Sequence, residues 1–150
     1  MAAQMTIPAS PDQVWAVLTD YDHLEEFIPY LLDSQVVRKE RDRLILRQEG
    51  GFWLPFYRLK TQVIFEVKER PPQMIYFRAV EGDFRLYEGS WHLERMGKET
   101  WLSYEATIEP DFWVPRWVLG ELERQVLKGT FRAILQRTGG DVTPESSPAS

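Results

Sequence analysis

The chain has 150 residues, 43% of them apolar and 27% charged, with a formal net charge of −5 and no cysteine. That length suits one domain with its own core; disulfides and thiolate chemistry are excluded, and an acidic chain without a dense Lys/Arg run argues against nucleic-acid binding. The N-terminal MAAQMTIPASPDQ lacks the layout of a secretory signal, and no apolar stretch nears the ~20 residues that span a bilayer, so a cytoplasmic protein is expected.

A short strand through Met5-Thr6-Ile7 comes first. Ser10-Pro11-Asp12-Gln13 then supplies an N-cap serine, proline at the first helical position and a capping-box glutamine. Val14, Trp15, Val17 and Leu18 give this helix its apolar stripe. Thr19-Asp20-Tyr21-Asp22 interrupts it, and 23–27 predicts a second short helix ended before Pro29. The period then changes to that of strands, over 36–40 and 43–49 with Arg41-Asp42 as the turn. In the next strand Leu59, Thr61, Val63, Phe65 and Val67 share one face. Further strands are read at 74–80, 84–95 and 101–109, the last with Leu102, Tyr104, Ala106 and Ile108 on one side.

A long helix over 115–137 carries Val118, Leu119, Leu122, Val126, Phe131, Ile134 and Leu135 on a broad apolar stripe. Gly120 and Gly129 inside it read either as tolerated weakness, at ~1 kcal/mol each, or as close packing on a sheet. The residues at 139–150 lack hydrophobes and predict a disordered tail, leaving a single domain over 1–138. The order implies an α+β fold: a curved antiparallel meander of six or seven strands wrapped around the C-terminal helix, with two short helices near the N-terminus.

Two segments stand out. GGFWLPFY at 50–57 and DFWVPRW at 111–117 each place Phe-Trp, an aliphatic residue and Pro where the chain is expected to turn. Their rings suit three settings: core packing with Trp53 under its loop and Trp117 on the helix's inner face, the rim of a pocket, or insertion at a membrane surface.

Catalytic constellations are sparse. Only His23 and His92 could serve as histidine bases. His23 sits among acidic residues that read as complementing a helix N-terminus rather than as a metal loop, and His92 alternates toward solvent. The carboxylates considered for acid/base work are Glu81, Asp83, Glu88 and Glu105, with Glu105 pointing to water. Whether Glu88 or Tyr87 faces inward depends on a bulge the pattern does not locate. Arg78, between Phe77 and Ala79, is the candidate for a buried polar anchor, with surface cation–π packing as its alternative.

Ile7-Pro8-Ala9-Ser10-Pro11-Asp12-Gln13-Val14-Trp15-Ala16-Val17-Leu18-Thr19-Asp20-Tyr21 resembles the opening of the polyketide cyclase/dehydrase and coenzyme-Q-binding START-type families. Leu24-Glu25-Glu26-Phe27-Ile28-Pro29-Tyr30 is similar to their second short helix and its proline exit. Gly82-Asp83-Phe84 through Gly89-Ser90-Trp91-His92-Leu93 is similar to their strand ending in tryptophan. At Tyr30-Leu31 the chain departs from the tryptophan expected in the coenzyme-Q-binding members. The resemblance implies a helix-grip fold with a cavity between sheet and final helix, holding a lipid, sterol, polyketide or quinone.

The expectation is therefore a protein that binds a lipid, isoprenoid or quinone-like molecule and could transport it, with no catalytic residue, cofactor or metal. Phe65, Phe77, Trp91 and Tyr104 are expected to line the cavity. Arg78 or Tyr104 would orient a polar head, and Phe52, Trp53, Phe56, Trp113 and Trp117 would sit near the entrance. Transient contact with a membrane surface is expected if the entrance opens there. Two alternatives stand beside this reading: an aromatase/cyclase in which a Tyr, Glu or Arg guides proton transfer, and an interaction module that docks through its aromatic loops.

Overall fold

The structure, a computed structural model, describes residues 1–138; the tail expected at 139–150 lies outside them. Seven strands form one antiparallel sheet: β1 (Ala2–Ile7), β2 (Leu31–Lys39), β3 (Arg43–Trp53), β4 (Arg58–Arg70), β5 (Met74–Gly82), β6 (Phe84–Met96) and β7 (Glu99–Pro110). Their spatial order is β1-β7-β6-β5-β4-β3-β2. Helix α1 (Pro11–Leu18) and a 3-10 turn (Tyr21–Glu26) connect β1 to β2, and helix α2 (Arg116–Arg137) closes the chain. This is the helix-grip arrangement, with α2 held by the curved sheet.

Local chemistry explains most of the boundaries. The Ser10 hydroxyl accepts from the Gln13 amide, and the Gln13 side chain accepts from the Ser10 amide, so the capping box forms as read. The second helix is a short 3-10 helix: Phe27 N–H returns to Leu24 O three residues back, a tighter pattern suited to so short a run. On α2, Val118, Leu122, Val126, Phe131 and Ile134 are buried at helical spacing against the sheet. Gly120 faces open space, and at Gly129 a Cβ would meet Pro29 and Tyr30 at an ordinary 3.4 and 3.6 Å, so neither position demands glycine.

One strand reading is corrected, and one that the pattern left open is resolved. Strand β3 does not stop before the glycines: Phe52 pairs with Leu59 and Trp53 with Arg58, and the turn is confined to 54–57, where Leu54 N–H bonds Tyr57 O. Bulky aromatics favour the pleated ladder, so this segment is half strand. In β6 a register shift between Phe84 and Leu86 breaks the alternation. Phe84 and Tyr87 are thereby both buried, and Glu88 faces away from α2.

Chain direction sorts the connections into two groups. The β3–β4 turn, the β5–β6 turn and the segment between β7 and α2 share one end of the sheet. Asp111 N–H bonds Asp83 O, which ties the last two together, and Asp83 itself accepts from the Gln62 amide. Gly82 makes that corner: its φ of +123° and the Gln62 carbonyl only 2.3 Å from where a Cβ would stand leave room for glycine alone. The 3-10 turn lies toward the other end, where Tyr21 meets Glu69 near the close of β4.

Candidate functional site

Between the inner face of the sheet and the segment running from α1 to β2 lies a cavity of about 90 Å³. Its floor is sheet: Leu46 and Gln48 from β3, Phe65 and Val67 from β4, Ile75 and Phe77 from β5, Tyr87 and Trp91 from β6, and Tyr104 from β7. Its roof is Leu18, Tyr21, Leu24, Ile28 and Tyr30, with Thr130 reaching in from α2. Among the described residues no acidic, basic or histidine side chain stands in this wall.

The four rings expected inside, Phe65, Phe77, Trp91 and Tyr104, are brought together here and joined by Tyr87. Phe65 meets Phe77 and Tyr87 edge-on at 5.5 and 5.1 Å between centroids. Phe77 stacks on Tyr104 at 6.0 Å, and Tyr104 lies 4.4 Å from Trp91. Such pairs hold their rings in fixed orientations, so the wall has a defined shape.

Polarity in the cavity comes mainly from hydroxyls. Thr130 donates to the Tyr30 hydroxyl at 3.3 Å, and the Tyr87 and Tyr104 hydroxyls lie close enough to influence each other's ionisation. Burial raises Tyr30, Tyr87 and Tyr104 above the ordinary phenol value, because a phenolate would lose its hydration there. Gln48, also in the wall, donates to the buried Ser34 hydroxyl at 3.2 Å.

Tyr21 occupies a boundary. It lines the cavity and also an outer groove shared with Trp15, Asp20, His23, Lys39 and Glu69. Its hydroxyl donates to Glu69 at 2.6 Å, and burial, then that carboxylate, raises its pKa. Asp22 accepts from the Val36 amide at 2.8 Å, so two side-chain bonds fasten the 3-10 turn to the sheet.

The remaining expected residues lie elsewhere. Arg78 is exposed on the outer face of β5, where it meets Glu66 at 3.3 Å; the expectation of a buried polar anchor is corrected. The cause is strand alternation: with Phe77 inward, its neighbour points out. Phe52 is buried, stacked on Tyr30 at 5.4 Å behind the cavity roof rather than at an entrance. Trp117 is 57% exposed, which corrects its placement on the inner face of α2, and Trp53 is 64% exposed, not folded under its turn. Phe56 and Trp113 are the most exposed aromatics, at 93% and 86%. None of these five lines the cavity.

Trp53, Phe56 and Trp113 instead mark the far end of the sheet. Gly50 pairs with the lining residue Leu31, and from there to Trp53 is three residues of extended strand, ~10 Å. The end is braced: the Gln125 side chain accepts from Trp53 N–H at 3.1 Å and donates to its carbonyl at 2.7 Å, while Arg58 lies over the indole at 4.7 Å. Trp117 falls on the same row of α2 as Gln125, eight residues earlier.

The candidate acid/base carboxylates are also remote. Glu81, Asp83, Glu88 and Glu105 all lie outside the cavity wall. His92 is exposed on the outer face, 3.2 Å from Ser90, and His23 bonds Asp20 at 2.7 Å, which raises its pKa. Among the described residues no group of three His, Asp or Glu is placed to hold a metal ion, and no helix is long and apolar enough to cross a membrane.

The family model described as polyketide cyclase / dehydrase and lipid transport matches residues 7–134. No curated protein matches the chain. Among solved structures, TTHA0849 from Thermus thermophilus is similar with a TM-score of 0.80 and 22% identity, over 92% of this chain and 95% of that one. The Zhui aromatase/cyclase from a Streptomyces species has a TM-score of 0.76 and 15% identity, over 93% and 92%. A STAR-related lipid transfer protein from Xanthomonas axonopodis has 0.76 and 14%, over 91% and 84%. At these identities the likeness is one of fold.

Proposed function

Since the chain belongs to the polyketide cyclase / dehydrase and lipid transport family, we propose that it binds an apolar small molecule in the cavity beneath the 3-10 turn and acts as a carrier rather than as a catalyst. The observation behind this reading is the wall itself: aromatic and aliphatic in the main, with no acidic, basic or histidine side chain to take up a proton. Apolar burial at ~25 cal/mol per Å² supplies the affinity. A cyclase working through a carboxylate base would need one in the wall, and the four candidate carboxylates stand outside; the wall's tyrosines are held protonated by burial, which makes them poor bases.

The cavity is small. Ligand pockets usually measure roughly 300–1,000 Å³, against about 90 Å³ here, so a ligand of that class enters by displacing part of the roof. Tyr21, shared between cavity and groove, lies where the roof meets the surface, and opening there breaks its hydrogen bond to Glu69.

The neutral fluorescent probe N-phenyl-1-naphthylamine tests the site. Wild type is expected to enhance its emission with one-site saturation. Val67→Phe, which fills the cavity floor, is expected to weaken that binding at least ~10-fold while circular dichroism shows the fold retained. Equal binding by Val67→Phe would place the probe elsewhere and rule out this cavity as its site. The exposed aromatic end supports a second contact, with a membrane surface, through Trp53, Phe56 and Trp113.

A further inference from the structure

The cavity's polar groups say which apolar molecule fits it. Ionised side chains are missing from the wall, so a bound carboxylate, phosphate or ammonium would give up its hydration with no opposite charge to meet it. That disfavours free fatty acids, although their chains would suit the walls.

Hydroxyl accounting goes further. Tyr30, Tyr87, Tyr104 and Thr130 each carry one O–H donor. Thr130 spends its donor on Tyr30, leaving the Tyr30 proton free. If Tyr87 and Tyr104 bond to one another, only one of those two protons is spent. The Tyr30 proton and at least one of the Tyr87 and Tyr104 protons therefore have no acceptor among the protein's own hydrogen bonds, and a donor left without a partner in a largely apolar wall is costly. A ligand oxygen that only accepts would complete the set, held against the ring faces of Phe65, Phe77 and Trp91.

We propose that the ligand is an uncharged molecule bearing a carbonyl oxygen, seated with that oxygen toward Tyr30, Tyr87 and Tyr104, and that the cavity discriminates against the corresponding carboxylate. This rests on the carrier reading and narrows it to a chemical class.

Two matched pairs test it by isothermal titration calorimetry at pH 7: 2-acetylnaphthalene against 2-naphthoate, and decan-2-one against decanoate. Amide NMR shifts at Tyr87, Tyr104 and Thr130 locate the site. In whichever pair binds there, the ketone is expected to bind at least ~10-fold more tightly than its carboxylate. The Tyr87→Phe/Tyr104→Phe double variant is expected to weaken the ketone ~5- to 10-fold and leave naphthalene unchanged. A carboxylate that binds in the cavity as tightly as its ketone overturns the proposal while the carrier reading stands, as does a double variant with unaltered ketone affinity. If none of the four probes binds, the carrier reading fails and takes this proposal with it.

Discussion

Above pH 10 the protein is expected to lose stability steeply, by about 4 kcal/mol per pH unit. Tyr21, Tyr87 and Tyr104 are buried, at 8%, 8% and 5% exposure, and burial raises each of them above the ordinary value of 10.0. The folded chain keeps these phenols protonated where the unfolded chain releases their protons. Unfolding is then coupled to proton release, so stability that is fully present below pH 10 is lost as pH rises. Each group contributes about 1.4 kcal/mol per pH unit once its unfolded form ionises. Against a typical total of about 5–15 kcal/mol, this brings the domain to unfolding within a few units. Urea midpoints between pH 8 and 11 measure it, and Tyr87→Phe is expected to flatten the slope by about a third. A midpoint that does not move between pH 9.5 and 11 would mean that these hydroxyls reach water.

The double variant Trp53→Ser/Trp113→Ser is expected to reduce association with phosphatidylcholine vesicles at least ~100-fold. Both indoles are mostly exposed in the protein alone, and burying a large apolar side chain contributes about 1.5–3 kcal/mol. With a net charge of −5, the chain gains little from anionic lipid, so the aromatic rings carry the effect. Their distance from the cavity predicts a dissociation of functions: probe binding in the cavity is expected to stay within ~2-fold of wild type. Vesicle co-sedimentation and N-phenyl-1-naphthylamine titration on the same preparations give both readings. Unchanged co-sedimentation would remove the membrane contact and leave these rings to a protein partner.

Much of the fold was legible because it rests on period. The inward sets of β4 and β7, and the stripe of α2, are buried as the alternation and helical spacing require, apart from Leu59, Leu119 and Leu135, which are half-buried at the margins. The capping box was legible because its chemistry is local. The outward placement of Arg78 was legible too: Phe77 and Arg78 are adjacent on one strand and, without a bulge, cannot both face inward. Trp117 carried a similar signal, since Glu121 and Gln125 continue its row on α2 with polar residues.

Other features have no local signature. The register shift that turns Tyr87 into the cavity depends on how β6 meets β7. The roof residues Leu18, Tyr21, Leu24 and Ile28 read as a helix stripe and its sequel, and only the closed fold sets them over the sheet. Tyr30, Tyr87 and Thr130 were absent from the expected site for the same reason. The aromatic turns stand out in the sequence, but their separation from the cavity follows from strand direction and length.

A bound ligand is sought most simply by native mass spectrometry of freshly purified protein, followed by organic extraction and identification of what it carries. One apolar, uncharged molecule per chain is expected, lost from Val67→Phe and retained by Trp53→Ser/Trp113→Ser. A wild-type chain that stays at its own mass of 17.7 kDa through repeated preparations, with and without added lipid extract, would contradict the carrier reading.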